Sequence, residues 1–335
     1  MTSEKRLDEL REQAWKDGVV AGKGVDVAGG PIPREPGYYA QPVVKPPVWT
    51  WEIPLYFFLG GMAGMSAVIA LGAAMFHLVE LTRGGIWIAV IAGAILSPLL
   101  LIMDLGRPHL FLNMLRVFKP RSAMSMGAWI LSAFGACVVP GLIALELHTH
   151  HIFAGTLDQL LRLAAGLFIF GSAIFGTLLA TYTGVLIGAT AIPAWFLHRT
   201  LLPIHFGTAG LGCAAGLLEL LGHRIPALNF IGFYAAAVES ALLIWLTVDK
   251  HGAADRAIHE RGSGWLILIG EILNGPFALV LRFFGLVPFA AVSFLIGALV
   301  SRFGWIAVGK ISGSDPESVF AAERYQVTTP RSIRR

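Results

Sequence analysis

The stretch Gly85–Leu110, GIWIAVIAGAILSPLLLIMDLGRPHL, decides the fold of this chain. Its residues up to Met103 carry no charge and are long enough, as a helix, to cross the hydrocarbon core of a bilayer. Asp104 and Arg107 follow where such a helix leaves the hydrocarbon, and their spacing lets them pair on one helix face. Pro108 then disfavours further helix. A charged pair at a broken helix end predicts a polar pocket, because charges at this depth usually mark a functional path.

The composition extends this reading to the whole chain. Of its 335 residues, 56% are hydrophobic and only 14% are charged, which is far too apolar for a soluble domain. The net charge of +4 comes from basic residues that lie mostly in loops and tails, so membrane orientation explains them better than nucleic acid does. We therefore expect an integral membrane protein surrounded by lipid, with no nucleic-acid partner.

Eight apolar runs are long enough to span a membrane, which predicts an all-α protein with eight transmembrane helices. The segment 192–198, with Pro193 near its start, is predicted to form a short interfacial helix or a re-entrant turn. The predicted spans are Glu52–Leu81, Ile86–Asp104, Ala123–Leu147, Asp158–Gly188, Leu201–Leu221, Pro226–Val248, Trp265–Phe284 and Leu286–Ala307.

An even number of spans puts both termini on one side, here called the termini face; the opposite side is the far face. The loops predicted on the termini face carry more basic residues than those on the far face, so the termini face is predicted to be cytoplasmic, in the inner membrane. The termini-face set is Arg107, Arg116, Lys119, Arg121, Arg199, Lys250, Arg256 and Arg261. The far-face set is Arg83, Arg162, Arg224 and Arg282.

Four regions follow from these spans: a polar arm at 1–50, helices at 51–190 and 191–309, and a tail at 310–335. The arm has no apolar signal segment and is predicted to be either a mobile tail or a strap for a soluble subunit. A weak repeat, IPLYF at 53–57 and LPIHF at 202–206, suggests that the two helical regions are two four-helix bundles.

Polar side chains of the first four spans converge at the termini face. They are Glu52 and Tyr56 at the start of the first span, Asp104, Arg107 and His109 after the second, Ser122, Ser125 and Trp129 at the third, and Thr181, Tyr182 and Thr183 near the end of the fourth. If these spans form one bundle, a pocket with acid, phenol and guanidinium groups opens at that face.

A second polar group lies in spans five to seven and comprises His205, Glu239, Asp249, Glu271 and Asn274. Glu239 is more than three turns from either end of its span, so it must be protonated or hydrogen-bonded. Its four ionisable members, His205, Glu239, Asp249 and Glu271, are predicted to form either a proton path across the second bundle or a set of structural hydrogen bonds.

The pattern of cysteines and histidines disfavours bound metals. Cys137 and Cys213 both lie inside predicted spans without any CxxC spacing, so an iron–sulfur cluster must belong to a partner. The histidines lie near one face or the other and none is at the midplane, where facing haem ligands would be expected. We expect no haem and no metal in this chain.

Three segments together resemble the NrfD/PsrC family, the membrane subunits of polysulfide reductase. They are WTWEIPLYFFLGGMAG at 49–64, DLGRPHLFLNMLRVFKPRSAMSMGAW at 104–129 and YTGVLIGATAIPAWFLHRTLLPIHF at 182–206. The likeness extends from Trp49 to about Lys310. It implies an eight-helix, haem-free subunit of an oxidoreductase complex that reacts with menaquinone or ubiquinone. The implied partners are a four-cluster ferredoxin-like iron–sulfur subunit at the termini face and a molybdenum or tungsten catalytic subunit.

Carried over to this sequence, the resemblance puts the quinone head among Glu52, Tyr56, Asp104, Arg107 and Tyr182. The tyrosines would bond quinone carbonyls, Asp104 or Glu52 would relay protons, and Arg107 would hold Asp104 ionised or steady the reduced anion. His109 and Trp129 complete the set of candidate quinone-binding residues.

Simpler interpretations stay open for each of these residues, and two other functions remain possible. Asp104 and Arg107 can be a helix-capping pair, the tyrosines interface aromatics, and Glu52 a solvated end residue. The rival functions are a di-haem cytochrome b anchor and a proton-coupled secondary transporter.

Overall fold

The computed structural model describes residue 44 and residues 48–105, 108–259 and 262–328. The predicted site residue Arg107, most of the predicted N-terminal arm and the end of the C-terminal tail lie outside the described residues. Within the described part, 85% of the structure is helical, which confirms the all-α prediction.

Eight helices in the described ranges are long and apolar enough to cross a membrane, as predicted. They are α1 Glu52–Met75, α2 Val79–Asp104, α3 Ala123–Thr149, α4 Thr156–Gly188, α5 Leu201–Leu220, α6 Pro226–Val248, α7 Ser263–Phe283 and α8 Val287–Ser314. A short helix, Pro193–Leu197, precedes α5, as expected for this interfacial segment. The chain is a multi-pass membrane protein.

The turn between α1 and α2 lies earlier than the hydropathy predicts. His77 adopts a φ of 56°, in the left-handed region that ends a helix, so α1 stops at Met75 and not at Leu81. Glu80 and Arg83 therefore belong to the first turns of α2.

The last span is held beside the first. Lys310 Nζ, near the end of α8, donates to the carbonyl of Trp49 over 2.6 Å, just before the start of α1.

Helix α1 packs closely against both halves of the chain through glycines. A Cβ atom built on Gly64 would lie 2.1 Å from the carbonyl oxygen of Gly176 in α4, and one built on Gly210 in α5 would lie 2.8 Å from that of Gly61. Such close backbone approach is typical of small-residue contacts between membrane helices. Because α1 contacts both α4 and α5, the division into two four-helix bundles stays a prediction.

Two helices contain a π-helical turn beside a proline. In α2 the turn is Ala89–Leu96, just before Pro98, and in α7 it is Leu273–Phe277, which contains Pro276. Proline has no N–H and its ring clashes with the carbonyl four residues earlier, so a wider turn relieves the clash. Such turns often occur at functional sites, and the one in α7 carries the buried side chain of Asn274.

Candidate functional site

Tyr56 of α1 and Tyr182 of α4 are both buried near the termini face. A Cβ built on Gly60 would lie 3.8 Å from both Tyr56 Cε2 and Leu179 Cγ. Leu179 is one helical turn before Tyr182, so the two tyrosines lie at a similar level on α1 and α4. The hydroxyl of Tyr182 donates to the carbonyl of Ala123 over 2.6 Å, at the first turn of α3. Gly127 makes room for this ring, since a Cβ there would lie 2.1 Å from the Tyr182 hydroxyl oxygen. The structure thus brings the two predicted phenols together in one polar region.

The two predicted carboxylates, Glu52 and Asp104, lie at similar depth at the termini face. A Cβ on Gly60 of α1 would lie 3.8 Å from Ser97 Oγ of α2, so these two positions are side by side. Glu52 is eight residues from Gly60 and Asp104 is seven from Ser97, about 12 and 10.5 Å at 1.5 Å per residue. Glu52 is buried and accepts a hydrogen bond from Thr50 Oγ1, and Asp104 is half-buried.

His109 and Trp129 are placed differently. His109 is exposed on the short 3₁₀ helix Pro108–Leu115. Trp129 is 38% exposed and contacts Phe118 edge-on, with 5.7 Å between the ring centroids. Trp129 therefore packs with the loop that precedes α3.

Three of the four predicted proton-path residues meet in a fully buried group in the second half. His205 Nδ1 lies 2.7 Å from Glu239 Oε2, and His205 Nε2 lies 3.2 Å from Glu271 Oε1. Arg302 joins them, with its Nη1 3.1 Å from His205 Nε2. His205, Glu239, Glu271 and Arg302 are here called the central cluster, and they connect four helices: α5, α6, α7 and α8.

Hydrogen-bond roles in the central cluster follow from Arg302. A guanidinium can only donate, so His205 Nε2 accepts from Arg302 and Nδ1 carries the proton that it shares with Glu239. Thr208 Oγ1 also donates to Glu239. Glu271 Oε1 is near Nε2 but outside hydrogen-bonding geometry. The positive guanidinium offsets carboxylate charge here, so the cluster is an ionic network and a poor place for a metal cation.

Asp249, the fourth predicted proton-path residue, lies apart from the central cluster. It follows the last residue of α6 at the termini face, where its side chain is 46% exposed. Its Oδ2 accepts from Trp245 Nε1 over 3.2 Å. Glu239, by contrast, is nine residues before the end of α6, about 13 Å deeper along the helix.

Comparison with known protein families assigns the chain. The family model described as polysulphide reductase, NrfD, matches residues 41–306, which include both groups of polar residues. The chain belongs to the NrfD family. NrfD proteins are the membrane subunits of polysulfide reductase-like oxidoreductase complexes, so this chain is a subunit of such a complex. A search of curated proteins finds no match.

Two arginines of this NrfD protein, Arg302 and Arg282, are buried although the sequence analysis does not predict it. Arg302 lies five residues before the end of the predicted eighth span, whereas α8 continues for twelve residues beyond it, so Arg302 is deeper than predicted. An arginine inside a predicted span is the signal that points to a buried partner. The distribution of charge places Arg282 among the far-face loop residues. It is buried instead and makes two bonds to Glu219, of 2.9 and 2.8 Å, and one of 2.9 Å to Asn229 Oδ1.

Proposed function

We propose that this chain is the quinone-reactive subunit of its complex and passes electrons between a partner iron–sulfur subunit and menaquinone or ubiquinone. The observation that carries the proposal is the buried Tyr56–Tyr182 pair, with Glu52 and Asp104 at matched depth beside it. Oxidising a quinol releases two electrons and two protons, so its site needs groups that bind the hydroxyls and carboxylates that accept protons.

The chemistry of Tyr182 is compatible with this role. Its hydroxyl proton is engaged with the Ala123 carbonyl, so its oxygen lone pairs are what it can offer to a bound ring. It therefore accepts from a quinol hydroxyl, and Glu52 or Asp104 accepts the departing proton. Electrons leave to the partner subunit, because this chain is proposed to hold no haem and no redox metal.

The segment between α2 and α3 supports a partner at the termini face. Its exposed apolar side chains, Leu112, Val117 and Phe118, stand beside exposed Arg116 and Lys119. Exposed apolar residues rimmed by charge are typical of protein or membrane interaction sites. We propose that the ferredoxin-like iron–sulfur subunit docks here, with the molybdenum or tungsten subunit attached to it, and that this face is cytoplasmic.

The central cluster supports a second activity, proton translocation. On α5, His205 and Glu219 are fourteen residues apart in an uninterrupted helix, so they share one face. The central cluster and the Glu219–Arg282 pair are therefore joined by one buried face of α5 over about 21 Å. Buried ionisable groups arranged in this way are typical of proton relays.

The test of the quinone site is Tyr182→Phe in the purified complex. Loss of the hydroxyl frees the Ala123 carbonyl and removes the acceptor for quinol, which costs about 1–1.5 kcal/mol, or roughly a tenfold loss of quinol-dependent electron transfer. Tyr234→Phe is the matched control, because Tyr234 is exposed on α6 and should keep the full rate. Equal rates for Tyr182→Phe, Asp104→Asn and the parent complex would refute the proposed site.

A further inference from the structure

Three side chains from two loops on the termini face lie within metal-binding distance of one another. His198 follows the short helix Pro193–Leu197, while His251 and Asp255 lie in the connection between α6 and α7. Each offers one nitrogen or oxygen atom, and these three atoms lie within 4.8 Å of one another. His198 and Asp255 are almost fully buried, and the side chain of His251 is 8% exposed.

A hydrogen bond fixes the tautomer of His198 and leaves one ring nitrogen able to bind a metal ion. Its Nδ1 lies 2.9 Å from the Ala194 carbonyl, which can only accept, so Nδ1 carries the ring proton. Nε2 is then the nitrogen with a lone pair, and it is buried without a hydrogen-bond partner. A backbone carbonyl that holds one ring nitrogen and leaves the other for the metal is the usual arrangement of metal-binding histidines.

One of the three spacings between ligand atoms, the one within the other loop, matches tetrahedral coordination, and the other two are no longer than 4.8 Å. His251 Nδ1 lies 3.5 Å from Asp255 Oδ2. Ligands at 2.0–2.2 Å around a tetrahedral zinc ion are separated by about 3.4 Å. The backbone N–H of His251 donates to Asp255 Oδ2 over 2.9 Å, which orients the carboxylate. Gly252, with a φ of +64°, allows the tight turn between these two residues.

We propose that His198, His251 and Asp255 bind a divalent transition-metal ion, Zn²⁺, that ties the loop before α5 to the loop between α6 and α7. Two imidazoles and one carboxylate suit Zn²⁺. The proposal differs from the expectation that the chain holds no metal, because His198 is 53 residues before His251 and the sequence alone gives no sign that the two meet. The Ala194 N–H also donates to Ser312 Oγ at the end of α8, and Ser318 Oγ, in the helix Pro316–Thr328 that follows α8, donates to the Ala253 carbonyl. The site is independent of the quinone chemistry.

The test is the zinc content and Zn²⁺ affinity of the full chain, purified in detergent with an affinity tag that contains no histidine. We expect one zinc ion per chain after a chelator wash and gel filtration, and a Zn²⁺-dependent rise of the unfolding temperature. His198→Ala and Asp255→Asn should each lower the zinc content at least fivefold. His150→Ala is the control, because His150 is exposed at the far face and should retain full zinc.

Either of two results would overturn the site: the parent chain binds no zinc, or both variants keep one zinc ion per chain. If the variants do not fold, X-ray absorption of the zinc-loaded parent chain decides. A shell of nitrogen and oxygen ligands with two imidazoles supports the proposal, whereas a sulfur ligand or a shell without imidazole excludes it.

Discussion

The Glu219–Arg282 pair shows how much a single buried charge depends on its partner. The guanidinium and carboxylate face each other through two parallel bonds, and both side chains are almost fully buried. Glu219→Gln leaves the Arg282 charge uncompensated, and we expect the free energy of unfolding to fall by about 3–5 kcal/mol. Thermal or denaturant unfolding in detergent measures the change.

Glu80→Gln is the control for this prediction. Glu80 is 75% exposed and 3.4 Å from Arg83, a surface pair that should change stability by less than about 1 kcal/mol. Replacing both interior partners together, Glu219→Leu with Arg282→Met, should recover much of the loss. If the double variant is as unstable as the sum of its single variants, the cost does not come from the unpaired charge.

Helix α1 contacts both α4 and α5 through the face that carries Gly61 and Gly64. Gly64→Ala puts a methyl group against the Gly176 carbonyl and must push α1 and α4 apart, so we expect a loss of about 1–3 kcal/mol of stability. Gly72→Ala in the same helix meets nothing within 4 Å and should be neutral or stabilising by up to about 1 kcal/mol. Unfolding temperatures of the two variants check this, and equal values would contradict the proposed contact.

Electron transfer and proton movement should separate in the complete complex, because the two polar groups lie in different halves of the chain. Glu239→Gln removes the ionisable group bonded to His205 while keeping its shape. We expect proton translocation in proteoliposomes to fall at least tenfold, with quinone-dependent electron transfer within twofold of the parent. Glu80→Gln, which changes an exposed carboxylate at the start of α2, is the control and should translocate normally. Unaltered proton translocation by Glu239→Gln would show that the central cluster is not part of the proton path.

Much of this architecture can be predicted from the sequence, because hydropathy and length are properties of local segments. Eight spans, the short helix after α4 and the depth of Glu239 all follow from the order of apolar and polar residues. Membership of the NrfD family can also be predicted from the sequence, because each of its motifs, at 49–64, 104–129 and 182–206, is a contiguous segment. The segments that contain Glu52, Asp104 and Tyr182 could be assigned to one face because consecutive spans alternate in direction.

The tertiary structure alone decides which side chains touch across helices. Arg302 joins His205, and Arg282 turns inward to Glu219, only because the helices that carry them take particular rotations and offsets. His198 approaches Asp255 because these helices bring the two loops together. Hydropathy hardly predicts these rotations and offsets, because a helix that is apolar all round has no preferred face. The rotations are set by close contacts such as Gly64 against Gly176, which depend on atoms from distant parts of the chain.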